Sequence, residues 1–229
     1  MNSAIARSPG GGTIRSIEKI ALPLDGLWLL KPRVFGDDRG TLVKTFHKEE
    51  FEEADLDFEL KEEFFSMSKK NVLRGMHFQI PPADHAKLVH CISGAVIDVA
   101  LDLRGNSPTY GQYAAALLAR SGPLDRGALL QIASWRRGFP LLGCDAEAAT
   151  GGLEPAGSLS LFIPRGFAHG FLSLTEDSVV IYKTNGIHAP ACDAGIRWDS
   201  FGFQWPVAKP IVSERDRGLV RLADFETPF

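Results

Sequence analysis

The stretch VLRGMHFQ, residues 72–79, sets Arg74 three residues before His77, and Lys87 follows ten residues later in HAKLVH. Further on, IPRGFAHGF places His169 just after a turn, SVVIYKT carries Tyr182, and SERD at 213–216 ends on Asp216. These side chains supply a base, a cation, a phenol and a carboxylate able to orient the base. That set suits proton abstraction beside a carbonyl: histidine takes the proton, lysine holds the enolate oxygen and tyrosine returns a proton. Taken singly, each has a plainer role. A histidine among apolar neighbours more often belongs to a core, and a strand tyrosine more often packs.

The elements that must bring these groups together read as strands. From Ile17 onward the runs GLWLL, TLVKTF, KLVHCI, AVIDVALDL, LSLFI and SVVIYKT are short and apolar or alternating. The turn signals GDDRG, SGA, RGNSPTYG and IPRG separate them. If strands run on both sides of the loop FQIPPADHA, His77 and Lys87 converge across one sheet face. In AVIDVALDL, Ile97, Val99 and Leu101 share one face, with Asp98 and Asp102 on the other, which suits a barrel holding a ligand site inside. Helical signal is confined to HKEEFEEADL at 47–56 and a turn or two within ERDRGLVRLADF. The pattern predicts an all-β fold, a sandwich or double-sheet jelly roll with a few short helices.

Residues 1–16, rich in Gly, Ser and Pro, read as a flexible tail, and residues 17–229 as a single domain. An inserted segment at 119–157 interrupts that domain; it is rich in Gly, Ala and Pro and lacks a strand period. Its Trp135-Arg136-Arg137 could cap a nucleotide or extend a dimer contact, and reads equally well as plain surface.

Composition narrows the partners. With 229 residues and 45% apolar content there is material for a sizeable core, and a net charge of −3 offers no basic stripe for nucleic acid. Lys69-Lys70 and Arg136-Arg137 read as solvated faces. The three cysteines include no C-x-x-C pair and fit reduced thiols in the cytoplasm. No apolar run approaches the roughly 18 residues of a membrane span, and the N-terminal stretch lacks the apolar segment of a secretory signal. Neither nucleic acid nor membrane is an expected partner.

The ordered set VLRGMHFQ, KLVHCISGAVIDVALDLRGNSPTYG, IPRGFAHGF, YKT, GIRWDS and WP closely resembles the dTDP-4-dehydrorhamnose 3,5-epimerase family. FGDDRG upstream and IVSERD downstream match in place, so the resemblance spans residues 20 to 118 and 158 to 217. It implies a cupin-type jelly-roll barrel, a homodimer, and no metal or organic cofactor. The implied activity is inversion of C3 or C5, or both, beside the C4 ketone of a nucleoside-diphospho-4-keto-6-deoxy sugar in deoxysugar and surface-polysaccharide biosynthesis. His77 would be the base, oriented by Asp216, Tyr182 the acid on the opposite face, and Lys87 the cation near the enolate. Arg39 and Arg74 would bind the diphosphate, while His169, Asp193 and Arg215 would contact the ligand. Asp98 would be a supporting carboxylate behind them. These roles agree with elementary chemistry: an imidazole with an ordinary pKa of about 6.5 takes protons at neutrality, and a carboxylate on its far nitrogen fixes the tautomer.

The departures from the family fall on base recognition. Thr41 and Lys44 stand where an aromatic and a glutamate are usual. Glu62, Glu63 and Phe64 replace a Gln-x-Asn segment, and His188 replaces a stacking tyrosine. Lys44, Glu62 and His188 are therefore expected to contact a different base, with CDP or GDP in place of dTDP. Other readings are a sugar-nucleotide 3,4-ketoisomerase, a metal-dependent cupin using His169 in its P-x-G-x-x-H motif, and a non-catalytic sugar-binding cupin. Against the metal reading, His77 and His85 stand eight apart across a Pro-Pro turn, and the first half holds no H-x-H.

Overall fold

The computed structural model describes residues 17–120 and 158–229. The N-terminal tail, most of the insertion and its Trp135-Arg136-Arg137 lie outside the described residues. The strands begin with β1 (Glu18–Ala21), β2 (Trp28–Lys31), β3 (Arg33–Asp37), β4 (Gly40–Lys44), β5 (Glu62–Ser68), β6 (Leu73–Gln79) and β7 (Lys87–Ser93). They continue with β8 (Ala95–Asp102), β9 (Tyr113–Ala119), β10 (Ser160–Ile163), β11 (Phe167–Ser173), β12 (Ser178–Thr184) and β13 (Asp193–Gly195). Among the described residues two short α-helices, α1 (Lys48–Glu53) and α2 (Glu214–Arg217), accompany them.

The strands form a front sheet in the order β1-β2-β10-β7-β12-β5 and a back sheet in the order β13-β6-β11-β8-β9, with β3 and β4 as a separate ribbon. Every named pairing is antiparallel, and sequence neighbours such as β6 and β7 lie in different sheets. This is the jelly-roll arrangement that the strand pattern predicts, with few helices. Among the described residues no helix is long and apolar enough to cross a membrane.

Side-chain alternation builds the layers. Val89 and Cys91 of β7, with Val180 and Tyr182 of β12, turn inward against Val96 and Ala100 of β8 and Phe171 of β11. The expected faces of β8 are present, but their surroundings differ from the expectation. Ile97, Val99 and Leu101 point away from the barrel and pack under Phe201, Phe203 and Trp205 from the C-terminal segment. All of β8 is therefore buried, carboxylates included. Asp102 takes no part in the ligand site: Arg104, Ser107 and Thr109 all donate to it at the strand's end.

The helix expected at 47–56 is shorter, and Phe46 leaves the line of β4 to meet Phe51 at 4.8 Å between ring centres. Six residues cannot hold a helix alone. Phe51, 1% exposed, docks α1 against Leu30, Leu88 and Phe162 of the front sheet. Truncating it to alanine would cost about 3–5 kcal/mol.

Candidate active site

An open cavity of about 280 Å³ lies between the two sheets, lined by His77, Lys87, Tyr182 and His169 together with Arg74, Asp193, Arg215, Glu62 and His188. His77 projects from β6 of the back sheet and Tyr182 from β12 of the front sheet. A group bound between them is thus approached from two sides.

The backbone under His77 is unusually close to its neighbour. Gly75 has φ +133°, and a Cβ there would sit 2.5 Å from Gly170 Cα on β11, so no larger residue fits without moving a strand. This contact accompanies a register shift between His169 and Phe171. The Gly75 N–H then donates to Asp216 Oδ2 at 3.2 Å.

Asp216 reaches the site from α2, whose Ser213 cap accepts the Asp216 N–H at 3.1 Å. Its Oδ1 lies 2.7 Å from His77 Nε2. Burial alone would raise the Asp216 pKa. The hydrogen bond and charge of His77, with Gly75 and Ser213, outweigh burial and hold the carboxyl below its ordinary range. An ionised Asp216 requires the hydrogen on Nε2, which leaves the Nδ1 lone pair as the basic site.

Lys87 opens β7 and donates from Nζ to the His77 carbonyl at 3.0 Å, bridging the two sheets. Burial lowers its pKa to about 8, partly opposed by Asp193 and Asp98. Tyr182 lies 3.3 Å from Ser66 Oγ through its hydroxyl, and burial pushes its phenol well above the ordinary value. The ring of His169 meets Tyr182 edge-on at 5.9 Å.

His169 pairs with His77 across the β6–β11 ladder but turns to a different carboxylate, Asp98, with Nε2 2.8 and 2.9 Å from its oxygens. Burial raises Asp98, while His169 and Lys87 pull it down. Asp98 and Asp216 thus stand behind the two histidines rather than on the cavity wall. His169, the one candidate ligand of the P-x-G-x-x-H motif, has its Nε2 engaged by Asp98.

At the rim, Arg74 donates to Ser68 Oγ at 3.0 Å and to the Met67 carbonyl at 3.1 Å. Both acceptors are neutral, so its charge remains for an anionic ligand. Arg215 instead donates to Asp193 at 2.6 Å. The His188 N–H donates to Glu62 at 2.9 Å. Arg39 and Lys44 are not brought to this cavity: both lie exposed on the β3–β4 ribbon, where Arg39 pairs with Asp37.

Several lining residues escaped the sequence reading. Ser66 follows Glu62 and Phe64 at alternate positions of β5, and Gln79 and Thr184 stand two beyond His77 and Tyr182. The two-residue strand period would have found them, had β5 been read as a strand. Gln79 accepts from Ala189 N–H at 2.6 Å and donates to the Ala83 carbonyl at 2.8 Å, tying two rim loops together. His85 also lines the cavity; burial lowers its pKa, with Lys87 adding to the effect.

The family model described as dTDP-4-dehydrorhamnose 3,5-epimerase matches residues 21–123 and 147–224. A protein of that name from Methanothermobacter thermautotrophicus is 36% identical over 203 residues, covering 86% of this chain and 90% of the relative. The crystal structure of the Sulfolobus tokodaii dTDP-4-dehydrorhamnose 3,5-epimerase is 30% identical, with a TM-score of 0.72 over 93% of this chain and 99% of that one. The dTDP-6-deoxy-D-glucose-3,5-epimerase of Legionella pneumophila, solved in complex with dTDP-4-keto-L-rhamnose, is 26% identical, with a TM-score of 0.73 over 92% and 95% of the two chains.

Proposed function

The chain belongs to the dTDP-4-dehydrorhamnose 3,5-epimerase family, an isomerase family with a cupin-like β-barrel, and we propose that its cavity epimerises the sugar ring by a two-base path using His77 and Tyr182. One observation carries this reading: His77, backed by Asp216, and the phenol of Tyr182 come from facing sheets into one cavity. Inversion needs a proton removed from one face of a carbon and another delivered to the opposite face.

In this path His77 Nδ1 takes the proton from the carbon beside the C4 ketone, and the electron pair moves onto O4 as an enolate. Asp216 stabilises the imidazolium that forms. The Lys87 ammonium, in a cavity partly shut off from water, favours the enolate oxygen. Tyr182 then protonates the same carbon from the other side and the ketone is restored. Arg74 and Arg215 are proposed to bind the diphosphate, with His169, held by Asp98, and Asp193 contacting the sugar.

The proposed substrate is a dTDP-4-keto-6-deoxy sugar. The CDP or GDP expectation drew on Thr41, Lys44, Glu62, Glu63, Phe64 and His188, and Thr41 lies on the ribbon off the cavity. Lys44 lies off the cavity, Glu63 pairs with Lys183 at 2.9 Å, and Phe64 stacks on Tyr182. Glu62 and His188 remain, and a carboxylate accepts from thymine N3–H as readily as from the cytosine amine.

A homodimer is also proposed. Val34, Phe35 and Leu42 are exposed on the ribbon, and Phe65, Met67 and Ile92 on the outer face of the front sheet. Apolar surface gathered in this way fits a second copy. In that assembly Arg39 and Lys44 would reach a ligand only in the partner's cavity.

The deciding experiment is turnover of 4-keto-6-deoxy sugar nucleotides in deuterated water. Label uptake at C3 or C5 together with inverted product supports the reading, and inversion without label uptake would defeat it.

A further inference from the structure

The side chains that hold the Tyr182 phenol come largely from one strand, β5. Glu62, Phe64 and Ser66 alternate along it and all face the cavity. The Phe64 ring lies 4.8 Å from that of Tyr182 with the planes 13° apart, a near-parallel stack. Phe64 remains 46% exposed, so it lies as a cover over the phenol at the cavity mouth, outside the core. Ser66 Oγ approaches the Tyr182 hydroxyl at 3.3 Å.

We infer that β5 is the tuning strand of the acid: Ser66 steadies the hydroxyl and stabilises the phenolate left after proton transfer, and Phe64 shields that phenol from water. The inference rests on the reading of Tyr182 as the proton donor. In the step concerned, the enolate electron pair forms the new C–H bond with the tyrosine proton, the Tyr182 O–H bond breaks, and the charge stays on the phenolate. Solvent restores that proton once product leaves. A serine O–H donated to a phenolate is a hydrogen bond to a charged group, the stronger kind.

The other groups around the phenol have defined effects. Burial raises the Tyr182 pKa most; Asp98 on β8 and Cys91 on β7 raise it further. Ser66 and Arg74 on β6 pull it down. His169 of β11 meets the ring edge-on. Removing the cover and removing the hydroxyl therefore act in opposite directions. Exposing the ring to water lowers the pKa toward the ordinary phenol value of about 10, and losing Ser66 raises it.

Two variants test this. The chain has three tyrosines, so the ultraviolet absorbance of tyrosinate can be counted. Wild type and Tyr182→Phe should show equal phenol titration up to about pH 11, and Phe64→Ala one phenol more. This readout needs no substrate. Inactivity of the wild type on every 4-keto sugar nucleotide would count against the epimerase reading, while the titration would still judge β5. Ser66→Ala should keep solvent-deuterium exchange at the carbon that His77 addresses and lower the ratio of inverted to exchanged product by about tenfold. Superimposable titrations for Phe64→Ala and wild type, or equal losses of exchange and inversion in Ser66→Ala, would overturn the inference.

Discussion

His77 and His169 are register partners on adjacent strands, yet each hands its Nε2 to a different carboxylate, Asp216 for one and Asp98 for the other. The histidine side chains differ in access: His77 is 29% exposed and His169 4%. Two residues of one type, side by side, thus have separate tasks. The accessible one can meet a substrate and move a proton. The buried one is held through Nε2 by Asp98 in the barrel interior and presents a fixed edge to Tyr182.

This difference predicts opposite kinds of damage. His77→Asn should keep the fold and lose about 10²–10⁴-fold in solvent-deuterium exchange, the usual cost of a missing general base. His169→Leu should leave Asp98 buried without its partner and cost about 3–5 kcal/mol of stability. Thermal unfolding and exchange rates on both variants check this. A near wild-type exchange rate in His77→Asn would remove it from the base role.

Tyr182→Phe separates the two protons. Exchange at the carbon His77 addresses should persist, because removal and return from that side need only His77. Inverted product should fall by about 10²-fold or more. Equal loss of both signals would reduce Tyr182 to packing.

That His77, Lys87, Tyr182 and Asp216 converge on one cavity was legible in the sequence because they sit in short, ordered segments. VLRGMHFQ, KLVHCI and SVVIYKT became β6, β7 and β12, and SERD became the capped helix α2 that delivers Asp216. Less legible were strands whose sequence departs from simple alternation. β5 reads EEFFSMS, polar at one end with adjacent phenylalanines, because its two faces look into a cavity and out to open surface. β9 and β11 are buried along nearly their whole length, so they carry no polar period to recognise. Arg39 shows a different limit. Its motif was readable, but its place relative to the cavity depends on tertiary geometry, and within one chain the ribbon holds it outside.

Lys87 predicts an alkaline limit on activity. Burial lowers its pKa to about 8, so the ammonium proposed to favour the enolate is present below that pH and lost above it. The kcat/KM profile should therefore fall on the basic side with an apparent pKa near 8, the free-enzyme value. Lys87→Arg, which keeps its charge throughout, should lack that basic limb at whatever rate remains. A basic limb unchanged in Lys87→Arg would assign it to another group.

The dimer proposal makes Arg39 informative. If the β3–β4 ribbon serves a second copy, sedimentation should show a dimer, and Arg39→Ala should weaken nucleotide binding without changing that state. Replacing the exposed Phe35 and Leu42 by serine should instead shift the assembly toward monomer and weaken nucleotide binding with it. A fully active monomer would exclude the arrangement.

Base preference turns on Glu62, whose carboxylate accepts the His188 N–H at 2.9 Å and keeps a second oxygen for a ligand at the cavity lip. Diphosphate contacts of the kind proposed for Arg74 would be common to every nucleotide and could not tell one base from another. Discrimination must come from base-edge groups, where a mismatch leaves buried polar atoms unpaired at a cost of about 1–3 kcal/mol. Thymine offers a single N3–H flanked by carbonyls. The His188 side chain beside the carboxylate can donate to one of those carbonyls, and the proposed dTDP substrate uses that pairing. Calorimetric titration of dTDP, CDP and GDP should therefore find dTDP the tightest. Glu62→Gln, which keeps the shape and loses the charge, should weaken dTDP by about tenfold. Tighter binding of CDP or GDP would show instead that Glu62 and His188 have been rebuilt for another base.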